Sequence, residues 1–438
     1  MAALCNFVAE YREAFEEKTL DFDSGKPPRI VMKRFVRLLG SLDDVRVPGR
    51  VTYPLTEIVA IVFLAVLGNA SEWQEIPLFA DAHRKWLQSF LTLEHGIPSH
   101  DTFRRVFSLI RPEQLQAVTV AFLSDNLVVL KRALGIGSKG KRQLCVDGKE
   151  NRGTGRKHDT AEEIRNLQTL HIYDTSHGIC LFSEAIDSKT NEIPVAQRIL
   201  ACMELRDTVV TFDALNTQKR TLEIIVERRG DYVGALKGNH AVFEEEVGEF
   251  FTTEEREHIR KKGKDYYRTV EKAHNKVETR EFFLTRNVGW FRERDEWAGL
   301  RSFLCYRKHS VDLVTGKETL ETRYYLSSET DVLLCAEAIR GHWGVENRLH
   351  WHLDTAFLED DNATVDRTAF SNLSLMNKMS LSLLKLAKPV FDKHSSIRSL
   401  RKIFGWNLED SLTKVLSLFD EEALLEAVAK STLKPQAK

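Results

Sequence analysis

The feature that most constrains this chain is a change of hydrophobic period near Gln143. Before it, apolar residues recur at helical spacing or fill whole segments. After it, short runs rich in β-branched and aromatic residues alternate with amphipathic helical patterns. A helical part must therefore precede an α/β part, since each pattern buries its apolar face differently. The 438 residues allow both, at about 100–200 residues per domain.

The helical part centres on EIVAIVFLAVLGNA (57–70), apolar all round as a buried central helix would be. Its unbroken apolar run, Ile58 to Leu67, falls well short of the roughly 18–20 residues that span a bilayer. The N-terminal MAALCNFVAEYREAFEE is acidic and amphipathic, unlike a signal peptide. No membrane partner is expected. Pro27 and Pro28 predict a loop between two early helices. The segment EIPLFADAHRKWLQSFL, the turn TLEHGIPS and HDTFRRVFSLI fit a helix-turn-helix, with Ser99 capping the last helix. Arg104 and Arg105 would then face DNA; in a plain helical hairpin they would only be solvated. The Gly-rich, basic KRALGIGSKGKR (131–142) reads as a linker.

Whole-chain charge is uninformative, with 63 Lys+Arg against 64 Asp+Glu. Any nucleic-acid surface must be local. The six cysteines form no C-x-x-C pair and read as free thiols of a reducing, cytoplasmic compartment.

From Gln143 the order is β-β-β-α-β-α-β, an α/β domain with a mixed sheet. RQLCVDG is expected to end the first strand at Asp147-Gly148, and DTVVTFDA a later one at Asp213. Residues 241–330 break the alternation with a charged helical stretch and then alternating strands, a β-rich insertion. Helix resumes at Asp331 and continues through the tail. The expected division is 1–130 helical; 140–240 with 331–390 the α/β domain; 241–330 the insertion; and 391–438 a helical tail.

Three acids stand out. Asp147 and Asp213 end strands of one sheet, and Glu346 sits in a helix crowded with polar and aromatic residues. Acids from distant segments that converge repel one another unless cations neutralise them. Hard divalent ions suit such oxygen donors, and two of them can drive in-line phosphoryl displacement. Each acid alone has a bland reading: a turn Asp, a helix cap, an ordinary ion-pair residue. His342, Glu346, His350 and Asp354 share one helical face, so a zinc site built on the two histidines is a second possibility. Trp343 and Trp351 are expected to pack in the core; a stacking platform for an unpaired base is the alternative. Basic and polar residues follow three successive strands: Lys149, Arg152, Arg156 and Lys157; Gln218, Lys219 and Arg220; Lys237, Asn239 and His240. Such positions suit phosphate contacts.

The stretches VDGKENRGTGR (146–156), VVTFDALNTQK (209–219), ALKGNH (235–240), RYYLSS (323–328) and IRGHWGVENRLHWHLDTAFLEDDNAT (339–364) together resemble the DDE transposases of bacterial insertion sequences. The similar branch is the ISAs-type, which includes the H-repeat-associated proteins. Residues 53–107 resemble the N-terminal domain of that branch, and the likeness runs over roughly 40–385. It implies a ribonuclease-H-like catalytic domain split by the β-rich insertion. Asp147, Asp213 and Glu346 would be its catalytic and metal-binding triad, holding two Mg²⁺ ions, with Mn²⁺ as a substitute. Asn347 and Trp351 match positions beside the glutamate, with His342, His350 and Asp354 in support.

The reaction implied is cleavage at terminal inverted repeats and strand transfer into target DNA. The partner would be double-stranded DNA, bound by a homodimer on the bacterial nucleoid. The DNA-contacting set would comprise Arg104, Arg105, Lys149, Arg152, Arg156, Lys219, Lys237, Asn239 and Arg348. A nuclease without strand transfer, and a domesticated DNA-binding protein, remain alternatives. In the Y-x-x-R-x-x-x-E-x-x-x-x-x-x-K signature of related transposases only the glutamate is present: Ile339, His342 and Leu353 stand at the other positions.

Overall fold

The computed structural model describes residues 27–133, 141–156, 164–186, 192–273, 275–391 and 394–417. Lys157 and most of the expected linker lie outside the described residues. Helix α1 (Pro27–Leu39) starts at the proline pair that was expected to form a loop. Proline is favoured in a first helical turn, where its missing N–H has no partner to lose.

Helix α2 (Leu55–Leu67) is the buried centre of the helical part, with every residue from Glu57 to Leu67 buried. Glu57 is tolerated there because Oε1 accepts the backbone N–H groups of Thr92 and Leu93, both at 2.9 Å. Around α2 pack α3 (Glu75–Ala82), the single turn α4 (Arg84–Leu87), α5 (His100–Phe107) and α6 (Pro112–Ala133). Ser99 caps α5 as expected, accepting the Thr102 N–H at 3.3 Å. The connection from α4 to α5 runs from Gln88 to Ser99, longer than the about 3–4-residue turn of a helix-turn-helix. The expected motif is absent in that form.

The sheet follows: β1 (Arg142–Asn151), β2 (Leu167–Asp174), β3 (Ile179–Ile186), α7 (Glu192–Leu200), β4 (Thr208–Phe212), α8 (Lys219–Glu227), β5 (Asp231–Leu236), α9 (Ala241–Phe250) and α10 (Thr253–Lys262). Then come β6 (Tyr266–Ala273), β7 (Lys276–Thr285), β8 (Ser302–Asp312) and β9 (Glu318–Ser327). Strand β6 was not foreseen, because its charged sequence, YYRTVEKA, shows no clean alternation. The spatial order is β3-β2-β1-β4-β5-β9-β8-β7-β6. Strands β1, β4 and β5 are mutually parallel, and every other neighbouring pair is antiparallel. The first five strands thus have the ribonuclease-H-like order, 3-2-1-4-5. The 241–330 segment extends the same sheet through the β5–β9 pair.

Side-chain alternation gives the sheet two buried faces. Val210, Phe212 and Tyr232 face the α7–α8 side, together with Phe283, Phe303 and Leu326. Val209, Val233, Phe282 and Leu304 face the opposite side. There they meet helix α11 (Val332–Val345), which continues through a π turn (Glu346–His350) into α12 (Trp351–Ala356). The chain ends, as described, with α13 (Arg367–Phe391), α14 (Ile397–Trp406) and α15 (Leu408–Ser417). These late helices share one core with α1–α6 and with Val345, Leu349 and Leu353. Among the described residues no helix is long and apolar enough to cross a membrane.

Arg401 ties the helical core to the sheet-bound helix. Fully buried, it donates from Nε to the Val66 carbonyl at 2.8 Å and from its terminal nitrogens to the carbonyls of Ala70 and Ala356. Its guanidinium lies 4.2 Å from the centre of the Phe357 ring. Arg401→Met should lower stability by about 3 kcal/mol or more, since each buried carbonyl left without a donor costs about 1–3 kcal/mol. Arg401→Lys should recover only part of this. Urea unfolding and the melting temperature of the three proteins are the check.

Candidate active site

The site is built from the parallel pairing of β1 and β4. Its last register pair is Val146 with Phe212, so Asp147 and Asp213 leave the two strands side by side. Strand β1 does not stop at Asp147, as expected, but runs on to Asn151, because β2 continues to pair with it. Asp147 faces His171 across that antiparallel pairing. Asp213 opens a turn in which its Oδ1 accepts the Asn216 backbone N–H at 3.1 Å. The segment expected to meet DNA after β5 braces this turn. Asn239 donates to the Ala214 carbonyl at 2.6 Å, and His240 Nε2 lies 2.7 Å from the Thr217 carbonyl oxygen.

Glu346 arrives from the other face of the sheet. Asp331 caps α11, accepting the Leu333 N–H at 2.7 Å. The helix then passes over the β1–β4 junction. His342 Nδ1 lies 2.9 Å from Cys145 Sγ and 3.3 Å from Thr211 Oγ1, against both strands. Glu346 begins the π turn, which inserts an extra residue into the helical repeat. Glu346 and His350 still meet at the expected i, i+4 spacing. Glu346 Oε2 is 3.5 Å from His350 Nδ1, and Asp147 Oδ2 is 3.8 Å from the same atom. Asp354 instead pairs with Lys149 at 2.9 Å. The expected core packing of the tryptophans is not found: Trp343 is 37% exposed and Trp351 55%.

The acids perturb one another. Burial pushes the Asp147 carboxyl up to about 7. Glu346, Asp213 and Glu192 add to the rise and His350 opposes it. The His350 imidazole holds the Glu346 carboxyl below its usual range. Burial lowers His342 to about 4, leaving it a neutral packing residue at pH 7. Glu192 is a fourth acid that sequence reasoning missed. It opens α7 and lies against Gly148, where an added Cβ would come within 2.2 Å of its Oε2. Burial and Asp213 raise its carboxyl as well. Its only trace in the sequence is a helix-opening glutamate, a common residue there.

Asp147, Glu346 and His350 each offer one ligand atom, all within 4.8 Å of one another. The two acids suit a hard divalent cation, and repulsion among the carboxylates gives such an ion an electrostatic gain. His342 is not in this group, so the two-histidine zinc arrangement does not form.

Residues 138–383 match the family model described as the transposase DDE domain, and 36–123 match its associated N-terminal model. The chain belongs to the DDE transposase family. It is 31% identical to an uncharacterized protein from the dhlA 3′ region of Xanthobacter autotrophicus, over 64% of this chain and 88% of that one. It is 29% identical to the candidate transposase YncI of Escherichia coli O157:H7, over 80% and 86%. It is 28% identical to YhhI of Escherichia coli K12, a candidate transposase associated with the H repeat, over 75% and 84%. The piggyBac transposase synaptic complex with hairpin DNA aligns over 94% of this chain and 84% of that chain. Its 12% identity and TM-score of 0.41 are too low to argue from.

Within this transposase fold the basic residues fall into two groups. Lys149 is buried and pairs with both Asp354 and Asp360 at 2.9 Å. Arg156 donates to the carbonyls of Gly153, Gly155 and Ala363, and so braces its own loop. Lys219 pairs with Glu293 and Glu296. By contrast Arg105, Lys237 and Arg348 are exposed, as is Arg104 despite its pairing with Asp101. Asn347 is exposed beside Arg348. Two grooves flank α11. One beside Asp213 holds Lys237, Arg323, His342 and Trp343; the other holds Arg280, Lys308, Arg340 and Arg348. Arg323 stacks on Trp343 at 4.3 Å. The groove cations from β7–β9 were missed, because the strands carrying them join the sheet beside the site only in three dimensions.

Lys149→Met should destabilise the fold by about 3–5 kcal/mol, by leaving two part-buried acids without their cation. Arg152→Ala, at a side chain 79% exposed, should stay within about 0.5 kcal/mol. Thermal melts of both variants against wild type are the measurement.

Proposed function

We propose that this chain is an active transposase. It would cut a phosphodiester at each end of its element and join the freed 3′-hydroxyl to target DNA. The observation that carries this reading is the convergence of Asp147, Asp213 and Glu346 from two strands and one helix, with Asp147 pushed up to about 7 by burial and by its acidic neighbours. We assign Asp147, Asp213 and Glu346 as ligands of two divalent ions, Mg²⁺ or Mn²⁺. Two such ions supply a nucleophilic water or hydroxyl and neutralise charge building on the phosphate and leaving oxygen.

The chain's own residues do the rest. The carboxylates fix where the reacting phosphorus sits. Asn216 holds Asp213 in place. In cleavage, water oxygen bonds to phosphorus and the bond to the 3′ oxygen breaks, leaving a 3′-hydroxyl and a 5′-phosphate. In transfer, that hydroxyl takes the place of water, and one target phosphodiester is exchanged for another. No protein nucleophile is required.

The exposed Lys237 and Arg348, with the two grooves along α11, are the proposed seat of the DNA backbone near the site. The helices before residue 130, with Arg104 and Arg105, are proposed to recognise the terminal repeat. Holding two ends together implies a homodimer on DNA, working in the bacterial cytoplasm.

The test is cleavage of a duplex carrying the element's own terminal repeat, in Mg²⁺, Mn²⁺ and EDTA. Wild type should nick at the repeat end only with metal. Asp147→Ala, Asp213→Ala and Glu346→Ala should each lose at least about 10³-fold in rate, the scale of removing a major transition-state contact. Retained DNA binding would show that they are folded. Binding without cleavage in either metal would overturn the enzymatic reading in favour of a DNA-binding role. Nicking without joining would reduce it to a nuclease.

A further inference from the structure

We propose that His350 is itself a metal ligand, so that the ion held by Asp147 and Glu346 has a carboxylate–carboxylate–imidazole set and favours Mn²⁺ over Mg²⁺. This rests on the reading of the acids as a divalent-metal centre and adds a nitrogen donor to it.

Four observations carry the inference. First, the separations suit a shared ion better than a hydrogen bond. His350 Nδ1 lies 3.5 Å from Glu346 Oε2 and 3.8 Å from Asp147 Oδ2. A charge-assisted N–H···O bond is about 2.7–2.9 Å. Two ligands on one ion, with bonds of about 2.1 Å, lie up to about 4.2 Å apart.

Second, the imidazole is committed to this place. The His350 side chain is 5% exposed, and the Glu346 side chain that shares its helix is 70% exposed. The buried group is the one aimed inward at the acid on β1.

Third, the far side of the ring is held as metal-binding imidazoles usually are. His350 Nε2 lies 3.2 Å from His171 Nδ1. A ligating histidine characteristically donates its other N–H to a second group, which fixes the tautomer and ring orientation. His171 is fully buried. With its own proton on Nε2, His171 accepts at Nδ1, leaving the lone pair of His350 Nδ1 directed at the acids.

Fourth, one strand pair anchors both partners. His171 on β2 stands directly opposite Asp147 on β1. The acid and the group that orients the imidazole therefore move as one unit. The cost lies at His171 Nε2, which would carry the proton and has no hydrogen-bond partner among the described residues. A buried orphan of this kind costs about 1–3 kcal/mol, so metal loading must offset it.

The donor set predicts selectivity. Mn²⁺ shares the oxygen donors of Mg²⁺ but, as a first-row transition ion, also accepts a nitrogen donor, whereas Mg²⁺ keeps to carboxylate and water oxygen. The experiment titrates Mn²⁺ alone, below one equivalent, into the full-length protein without DNA, and follows it by electron spin echo envelope modulation. A ¹⁴N coupling to the bound Mn²⁺ is expected in wild type and should vanish in His350→Gln. The Mn²⁺ affinity of that variant should fall about 10–100-fold, with the Mg²⁺ affinity nearly unchanged, so the preference collapses. His171→Phe should keep the ¹⁴N coupling yet lose about 10-fold in Mn²⁺ affinity, as for other outer-shell partners of ligating histidines.

Bound Mn²⁺ with no ¹⁴N coupling in wild type would overturn the inference and leave the carboxylate centre standing. So would a coupling that survives His350→Gln, or an equal loss of Mn²⁺ and Mg²⁺ affinity. Failure of wild type to bind either ion would overturn both readings. The wild-type coupling needs no variant, so a His350→Gln protein that fails to fold does not remove the test.

Discussion

Strand β1 is paired on both sides, antiparallel to β2 and parallel to β4, and the site depends on that double pairing. The parallel register ends at Val146 with Phe212, which puts Asp147 next to Asp213. The antiparallel register continues and sets His171 behind Asp147. A one-residue slip in either would turn Asp147 to the opposite face of the sheet. Buried residues on both faces of β4 and β5 oppose such a slip. The hydrophobic core therefore fixes the geometry of the acids.

The helix bearing Glu346 is held at three levels. Asp331 caps its start, His342 meets the β1–β4 junction through Cys145 and Thr211, and Arg401 takes the Ala356 carbonyl at its end. Between these anchors lies the π turn. Glu346 and His350, its first and last residues, lie beside Asp147. Helical irregularities of this kind collect at functional sites because they re-aim side chains without breaking the helix. Arg401 also draws on carbonyls at the end of α2, so the N-terminal helices brace the helix bearing Glu346 as well as each other.

Charge is arranged in two shells. Acidic neighbours add to the rise in the proton affinity of Asp147, and Asp213 adds to that of Glu192. Immediately behind them, Lys149, Asp354 and Asp360 form a closed set of pairs. Residues that follow these strands are thus divided between bracing and exposure, and nothing in the local sequence separates Lys149 from Lys237. Burial separates them, and it comes with the segment bearing Asp354 and Asp360, which pairs with Lys149 from far along the chain.

By itself, the sequence determined the fold class and the family. The change of period at Gln143, the all-apolar α2, the β-β-β-α-β-α-β order and the motifs around Asp147, Asp213 and Glu346 are local patterns, and local patterns survive without a fold. They sufficed for the family and for the mixed sheet with its preceding helices. Only the tertiary structure decided the rest. It continued β1 past Asp147, added β6 to one nine-stranded sheet, and brought Glu192 and His171 to the acids from segments with no distinguishing signal. It also inserted the π turn at Glu346–His350 and left Trp343 and Trp351 exposed. The physical reason is common to all of these. Strand ends, helix register and the burial of a charge are settled by partners far away in the chain, and a residue's own neighbours in sequence carry no record of them.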